Sequence, residues 1–150
     1  MGDQNLTGTL SEADLEDARK LDEKMVRAFS NRDLEAAMDC FWIDPGLVVV
    51  LNGEVHHGAD EVRASIKEMF EHNESIKLEL DNVTHVVTGD GMIGVGTAAF
   101  TLKPVGQPRR LMVERWSDVR KKIDGRWVYV LDHTTHLQND VIPEDESSSG

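Results

Sequence analysis

Apolar residues recur at three- and four-residue spacing in the first half of the chain and at every second position in the second half. Leu15, Ala18, Leu21, Met25 and Phe29 form the stripe of one amphipathic helix, and Ser11 and Asp14 ahead of it resemble a capping box. "SNRD" interrupts the stripe. Leu34, Ala37, Met38 and Phe41 make a second, shorter one, which Asp44-Pro45-Gly46 ends. "LVVVL" is short and β-branched and predicts a buried strand; Asn52-Gly53 turns it, and "EVHHG" pairs back. Val62, Ile66, Met69 and Phe70 mark a third helix. The period then drops to two. "SIKLELDNVTHVV", "MIGVGTAAFTLK", "RRLMVERWSDVRKK" and "RWVYVLDHTTHL" predict four long strands, joined by tight turns at Gly89-Asp90-Gly91, "PVGQP" and Asp124-Gly125. Such a meander is antiparallel, with the helices covering one face, so the fold class is α+β.

The last strand raises a question of its own. After Trp127–Leu131, which read as β, come Asp132, His133, Thr134, Thr135 and His136 without a turn signal. Either the strand meets water there or it lines a pocket that requires polar groups. Side chains alternate along a strand. With a three-residue loop, Ile123-Asp124-Gly125, one face of the last hairpin carries Glu114, Trp116, Asp118, Arg120, Val128, Val130, Asp132 and Thr134. The other carries Arg115, Ser117, Trp127, Tyr129, Leu131, His133 and Thr135. A two-residue Asp-Gly loop would shift that register.

Length and charge narrow the function. The 150 residues suit one domain: a flexible segment 1–10, a folded unit 11–137 and a disordered acidic, serine-rich tail 138–150. A net charge of −12 argues against a nucleic-acid partner. Residues 1–40 carry ten acids and five bases, and residues 101–130 eight bases and three acids, a pattern of mutual neutralisation. The single Cys40 excludes a disulfide framework and reads as a buried, inert thiol. No apolar run is long enough for a membrane span, and the acidic N-terminus is unlike a secretory signal, so a cytoplasmic protein is expected. His56 and His57 are adjacent, and His72, His85, His133 and His136 lack ligand spacing; no metal site is expected.

"NRDLEAAMDCFW" with Asp44-Pro45, then "VVVLNGEVHHGADEVRASI", resembles the start of SnoaL-like proteins. "RWSDVRKKIDGRWVYVLDHTT" resembles their end, with its W-x-x-V-x-x-H-[ST]-[ST] type signature. Over about residues 11–137 the chain is similar to the SnoaL-like or DUF4440 branch of the nuclear-transport-factor-2-like superfamily. The resemblance implies a cone: three N-terminal helices packed on a strongly curved, mainly antiparallel sheet, with a conical pocket between them. It implies a homodimer through the outer sheet face, using Arg115, Tyr129 and His133, and it turns the Glu114 set inward. Asp118 and Asp132 are then the candidate catalytic groups. Met25, Phe29, Trp42, Val49, Glu114, Trp116, Arg120, Val130 and Thr134 are the candidate ligand contacts, for a neutral or cationic, partly apolar molecule without a cofactor.

Known chemistries of the superfamily fit incompletely. The resemblance puts the ketosteroid isomerase base on Val49 and its tyrosine on Met25, so that mechanism is not expected. The last-strand Asp of limonene epoxide hydrolase falls on Asp132, but "GMIGVG" supplies no charged partner. The reading is therefore a small-molecule pocket protein working as a cofactor-free acid–base enzyme of isomerase, cyclase or hydrolase type. Its alternative is a non-catalytic ligand-binding or oligomer-assembly module.

Overall fold

The computed structural model describes residues 3–5 and 10–143. Ser11 caps α1 (Glu12–Ser30): its hydroxyl accepts a hydrogen bond from the Asp14 amide at 3.1 Å, and the stripe behind it buries Ala18, Leu21, Ala28 and Phe29. Asp33 caps α2 (Leu34–Met38) in the same manner, through the Ala36 amide. The strands are β1 (Asp3–Asn5), β2 (Val48–Leu51), β3 (Glu54–His57), β4 (Asn73–Thr88), β5 (Gly91–Pro104), β6 (Arg110–Ile123) and β7 (Arg126–Val141). Helix α3 (Gly58–His72) follows the β2–β3 hairpin, so the helices are not consecutive. The order across the single sheet is β1-β4-β5-β6-β7-β2-β3. β1 runs parallel to β4 and β2 parallel to β7, and the other pairs are antiparallel.

Alternating burial along β5 and β6 defines an inner face, on which the core lies. Phe29 of α1 meets Phe70 of α3 edge-on, with ring centroids 5.2 Å apart, and Phe100 of β5 at 6.2 Å. Those contacts close the helices over the sheet and leave a hollow beside them. The small residues of β5 shape its floor. A Cβ at Gly96 would fall 2.5 Å from the Trp116 ring, and one at Gly94 would fall 2.5 Å from Arg120 Nη2. Glycine there lets the large side chains of β6 lie flat across the neighbouring strand.

Register shifts in the β4–β5 and β6–β7 ladders decide which side chains face inward. On β4 the ladder to β5 slips between Asp81 and Thr84, where Asn82 takes φ 53°. Ile76 and Leu78 are buried before the slip, His85 and Val87 after it. Between β6 and β7 the ladder slips at Val119/Arg120 and again at Val113/Glu114.

The β6–β7 turn corrects the expected loop. It has two residues, Asp124 (φ 52°) and Gly125 (φ 80°), with Ile123 facing Arg126. Arg120 therefore pairs with Tyr129, while beyond the slip Asp118 pairs with Asp132. Val130 is the bulged residue between them. The shorter loop moves the pairing by one residue and the bulge by one more, so Asp132 and Thr134 face inward as expected but stand opposite Asp118 and Trp116 instead of Trp116 and Glu114. Tyr129 shifts from the expected outer face to the interior, where it is buried.

The folded unit also exceeds its expected limits. β1 adds an edge strand within the segment expected to be loose, and β7 continues to Val141, which faces Arg110. Residues 1–2 and 6–9 of the expected flexible N-terminus, and the tail from residue 144, lie outside the described residues. Cys40 is fully buried, and burial pushes its thiol up to about 11. Among the described residues no helix is long and apolar enough to cross a membrane.

Candidate functional site

The hollow is a cavity of about 270 Å³. Met25 and Phe29 of α1, Phe41, Val49 of β2, Ile66 of α3 and Phe100 of β5 make it mostly apolar. Its polar wall is the inner face of β6 and β7. Three cross-strand pairs stand there in rows: Glu114 with His136, Trp116 with Thr134, and Asp118 with Asp132.

Of the residues picked from sequence, Met25, Phe29, Val49, Glu114, Trp116, Asp118, Asp132 and Thr134 line this cavity. Trp42, Val130 and Arg120 do not. The chain bends after α2 so that Phe41, bridged to Tyr129, faces the cavity, and the Trp42 ring lies against Gly46 instead. Val130 is displaced by the bulge, and Tyr129 takes its place on the wall. Arg120 points inward as expected but sits behind the wall, with no exposed surface.

Arg120 organises the floor of the site. Its Nε donates to Asp118 Oδ1 at 3.0 Å and its Nη2 to Asp118 Oδ2 at 2.8 Å, a two-pronged grip. Nη2 also reaches Asp22 Oδ1 at 3.0 Å, and Nη1 donates to the Ala18 carbonyl at 2.8 Å. The guanidinium carbon lies 5.0 Å from the Tyr129 ring centre. Asp22 completes the cluster: Tyr129 Oη donates to its Oδ1 at 2.7 Å, and His85 Nε2 meets its Oδ2 at 3.0 Å.

Sequence reasoning missed Asp22 and His85. Asp22 follows Leu21 and lies three residues before Met25, so a charge on the edge of an apolar stripe was the available signal. For His85 the signal was the change of hydrophobic phase from Ile76, Leu78 and Leu80 to Val83, His85 and Val87 across Asp81-Asn82.

These surroundings separate the carboxyls. Burial pushes Asp22 up, but His85, Arg120 and Tyr129 outweigh it and hold its pKa below the usual value. Burial raises Asp118 to about 6 against the pull of Arg120. Asp132 has no such cation beside it. Burial first, then the charges of Asp118 and Glu114, lift it to about 8. Burial also raises Glu114, opposed by His136, whose Nε2 lies 3.0 Å from Glu114 Oε2. Burial likewise holds the Tyr129 phenol well above its ordinary value, so it stays a donor. At neutral pH the arrangement thus offers an ionised Asp118 facing a protonated Asp132: a proton acceptor opposite a proton donor. Among the described residues no group of three or more His, Cys, Asp or Glu could hold a metal ion.

Solved structures share this architecture at low identity. A candidate scytalone dehydratase from Novosphingobium aromaticivorans superposes with a TM-score of 0.79 at 9% identity, covering 87% of this chain and 89% of the other. The hexachlorocyclohexane dehydrochlorinase LinA-type3 from Novosphingobium barchaimii gives 0.75 at 13%, covering 87% and 90%. A candidate dehydratase of the NTF2-like family from Streptomyces avermitilis gives 0.71 at 20%, covering 85% and 98%. These likenesses establish the α+β cone of the NTF2-like fold. Among curated proteins the sequence finds no match. The model of the SnoaL-like domain matches residues 23–130, which carry the last eight residues of α1, all of α2, α3 and β2 to β6, and the first five residues of β7, and the chain therefore belongs to the SnoaL-like domain family.

Proposed function

We propose that the chain is a cofactor-free enzyme that moves a proton to and from carbon in a compact, largely apolar molecule. The observation that carries this reading is Asp132, a carboxyl raised to about 8 on the wall of an apolar cavity, directly across from the arginine-held Asp118. Asp118 accepts the proton from carbon, and Asp132 gives its own to the substrate oxygen as electron density moves there. For a carbonyl the product is the enol; for a leaving hydroxyl it is an alkene and water. Two of the structural neighbours are named for eliminations, a dehydratase and a dehydrochlorinase, and this supports the second branch. Arg120, braced by Asp22 and the Tyr129 ring, holds Asp118 in place and favours its ionised form against the effect of burial.

The test is hydrogen exchange at the carbon next to the carbonyl of small cyclic ketones in D₂O, followed by NMR. Wild type should accelerate exchange over buffer, and Asp118→Asn and Asp132→Asn should each remove about 10²-fold or more of it. Exchange at the buffer rate, or exchange indifferent to both substitutions, leaves the ligand-binding or assembly alternative.

The same reading takes the protein to be a homodimer through the outer face of the sheet. That face carries the half-exposed row Ile93–Val119–Leu131, then Val95, Arg115 and His133. Val95 is 39% and Leu131 37% exposed. Apolar positions on the convex side of a sheet suit a second copy better than water. Sedimentation should give a dimer, and Val95→Asp with Leu131→Asp should give a folded monomer; a monomeric wild type refutes it.

A further inference from the structure

Two of the three polar rows on the cavity wall have their chemistry accounted for. Glu114 is held by His136, and Asp118 by Arg120 with Asp132 opposite. The middle row is different. Trp116 Nε1 and Thr134 Oγ1 are both buried, and neither has a hydrogen-bond partner. Trp116 is 6% and Thr134 7% exposed, and both side chains line the cavity. The other buried polar atoms without a partner, Asn73 Oδ1 and Trp127 Nε1, belong to residues that do not line it. A buried donor or acceptor left unpaired destabilises the fold. Two such atoms, on one cross-strand pair that lines the hollow, point to a group that enters and satisfies both.

The chemistry of that group follows from the donors and charges present. An indole N–H can only donate, so the incoming atom must be an acceptor. A hydroxyl can donate or accept, so Thr134 adapts to either a carbonyl or a hydroxyl oxygen. An anion is disfavoured: Asp22, Glu114, Asp118 and Asp132 line the cavity, and no Lys or Arg does. An ammonium would suit the acids but leaves the Trp116 N–H unpaired. Apart from His56, Ser65, Tyr129 and His136 the rest of the lining is apolar, and the volume of about 270 Å³ limits the body to one or two small rings.

We propose that Trp116 and Thr134 form a recognition site for an uncharged carbonyl or hydroxyl oxygen on a compact alicyclic or aromatic body. The site lies one row from the acid pair, about 7 Å along the strands. It sets specificity and orientation; the proton transfer belongs to Asp118 and Asp132. The proposal deepens the enzymatic reading and assumes the same cavity, but it can stand or fall separately.

The experiment uses probes on two scaffolds, cyclohexane and decalin, each bearing a ketone, no substituent, an ammonium or a carboxylate. Binding is read on the indole N–H resonances of ¹⁵N-labelled protein, of which the sequence supplies three. Trp116→Phe identifies the Trp116 signal. The ketones should shift that resonance and bind about ten-fold more tightly than their hydrocarbons, with the carboxylates weakest. Trp116→Phe keeps a ring over Gly94 and Gly96 and should cut the preference to about two-fold; Thr134→Val should lower it partway. Equal binding of ketone and hydrocarbon by wild type, a still Trp116 resonance, or preference for the carboxylate overturns the proposal. That measurement on wild type does not depend on either variant folding. Asp132→Asn separates the two readings. Preference retained with exchange lost supports both; preference present in a wild type that catalyses no exchange leaves the recognition site and removes the enzyme.

Discussion

Arg120→Met should lower stability by about 3–5 kcal/mol, a fall in Tm of about 10 °C or more for a chain of this size. Arg120 has no exposed surface and supplies four hydrogen bonds, three of them to the carboxylates of Asp22 and Asp118. Methionine fills much of the volume but leaves two carboxylates close together in a buried site without their cation. The cost is mainly that of the stranded charges, so Arg120→Met combined with Asp118→Leu should recover a large part of it. Arg120→Lys keeps the charge but cannot grip both oxygens of Asp118 while reaching Asp22 and the Ala18 carbonyl, and should fall between. Urea unfolding of the four proteins measures this. A loss below about 1 kcal/mol for Arg120→Met would mean that water entering the cavity already solvates both carboxylates, and Arg120 would lose its place as organiser of the floor.

That cluster also marks where the sequence stopped being legible. Periodicity was enough for the helices, the Asn-Gly and Asp-Gly turns and the meander, because each depends on neighbours a few residues apart. The inner row Glu114, Trp116, Asp118 was legible too, since strict alternation leaves only two choices and the quoted motifs pointed to one. What failed was phase across the bulges. A three-residue loop at Ile123–Gly125 puts Tyr129 outward, and the two-residue Asp-Gly turn brings it in; nothing in "RWVYVLDHTT" announces the extra residue at Val130 that then returns Asp132 to the inner face, because a bulge is set by pairing with β6 and cannot be read from one strand. His85 was passed over for the same reason, although there the change from even to odd apolar positions around Asp81-Asn82 was visible. Asp22 was a different failure. The helical stripe drew attention to its apolar members, and the acid among them escaped notice until its partners from β4, β6 and β7 converged on it. Residues that meet from four separate elements are set by tertiary geometry, which a local pattern does not encode.

Between about pH 4 and pH 8 the wild type should become less stable, by roughly 2–5 kcal/mol, and Asp132→Asn should remove most of that slope. The sign follows from Asp132. Unfolded, it titrates near 3.8; folded, burial and the facing charges of Asp118 and Glu114 carry it to about 8. Within that window the unfolded chain has released the proton and the folded chain still holds it, so rising pH favours unfolding. Below 3.8 both states are protonated and above 8 both are ionised, so the effect of Asp132 saturates at either end. Asp118, raised to about 6, adds in the same direction over the lower part of the window. Asp22 acts oppositely. Its folded pKa is depressed, so its contribution is present above about 3.8 and lost as the pH falls through the folded value. The combination places the stability maximum in mildly acidic solution. Asparagine at 132 keeps the shape and carries no proton to lose, so the variant should match the wild type near pH 4 and exceed it by about 2 kcal/mol or more near pH 9. Urea unfolding at pH 4, 6, 8 and 9 on both proteins measures the difference. Parallel curves would show Asp132 solvated in the folded state and would remove the proton donor from the proposed reaction. A variant that gains stability while losing exchange activity would locate both effects in one desolvated carboxyl, held protonated at neutral pH at a cost to the fold.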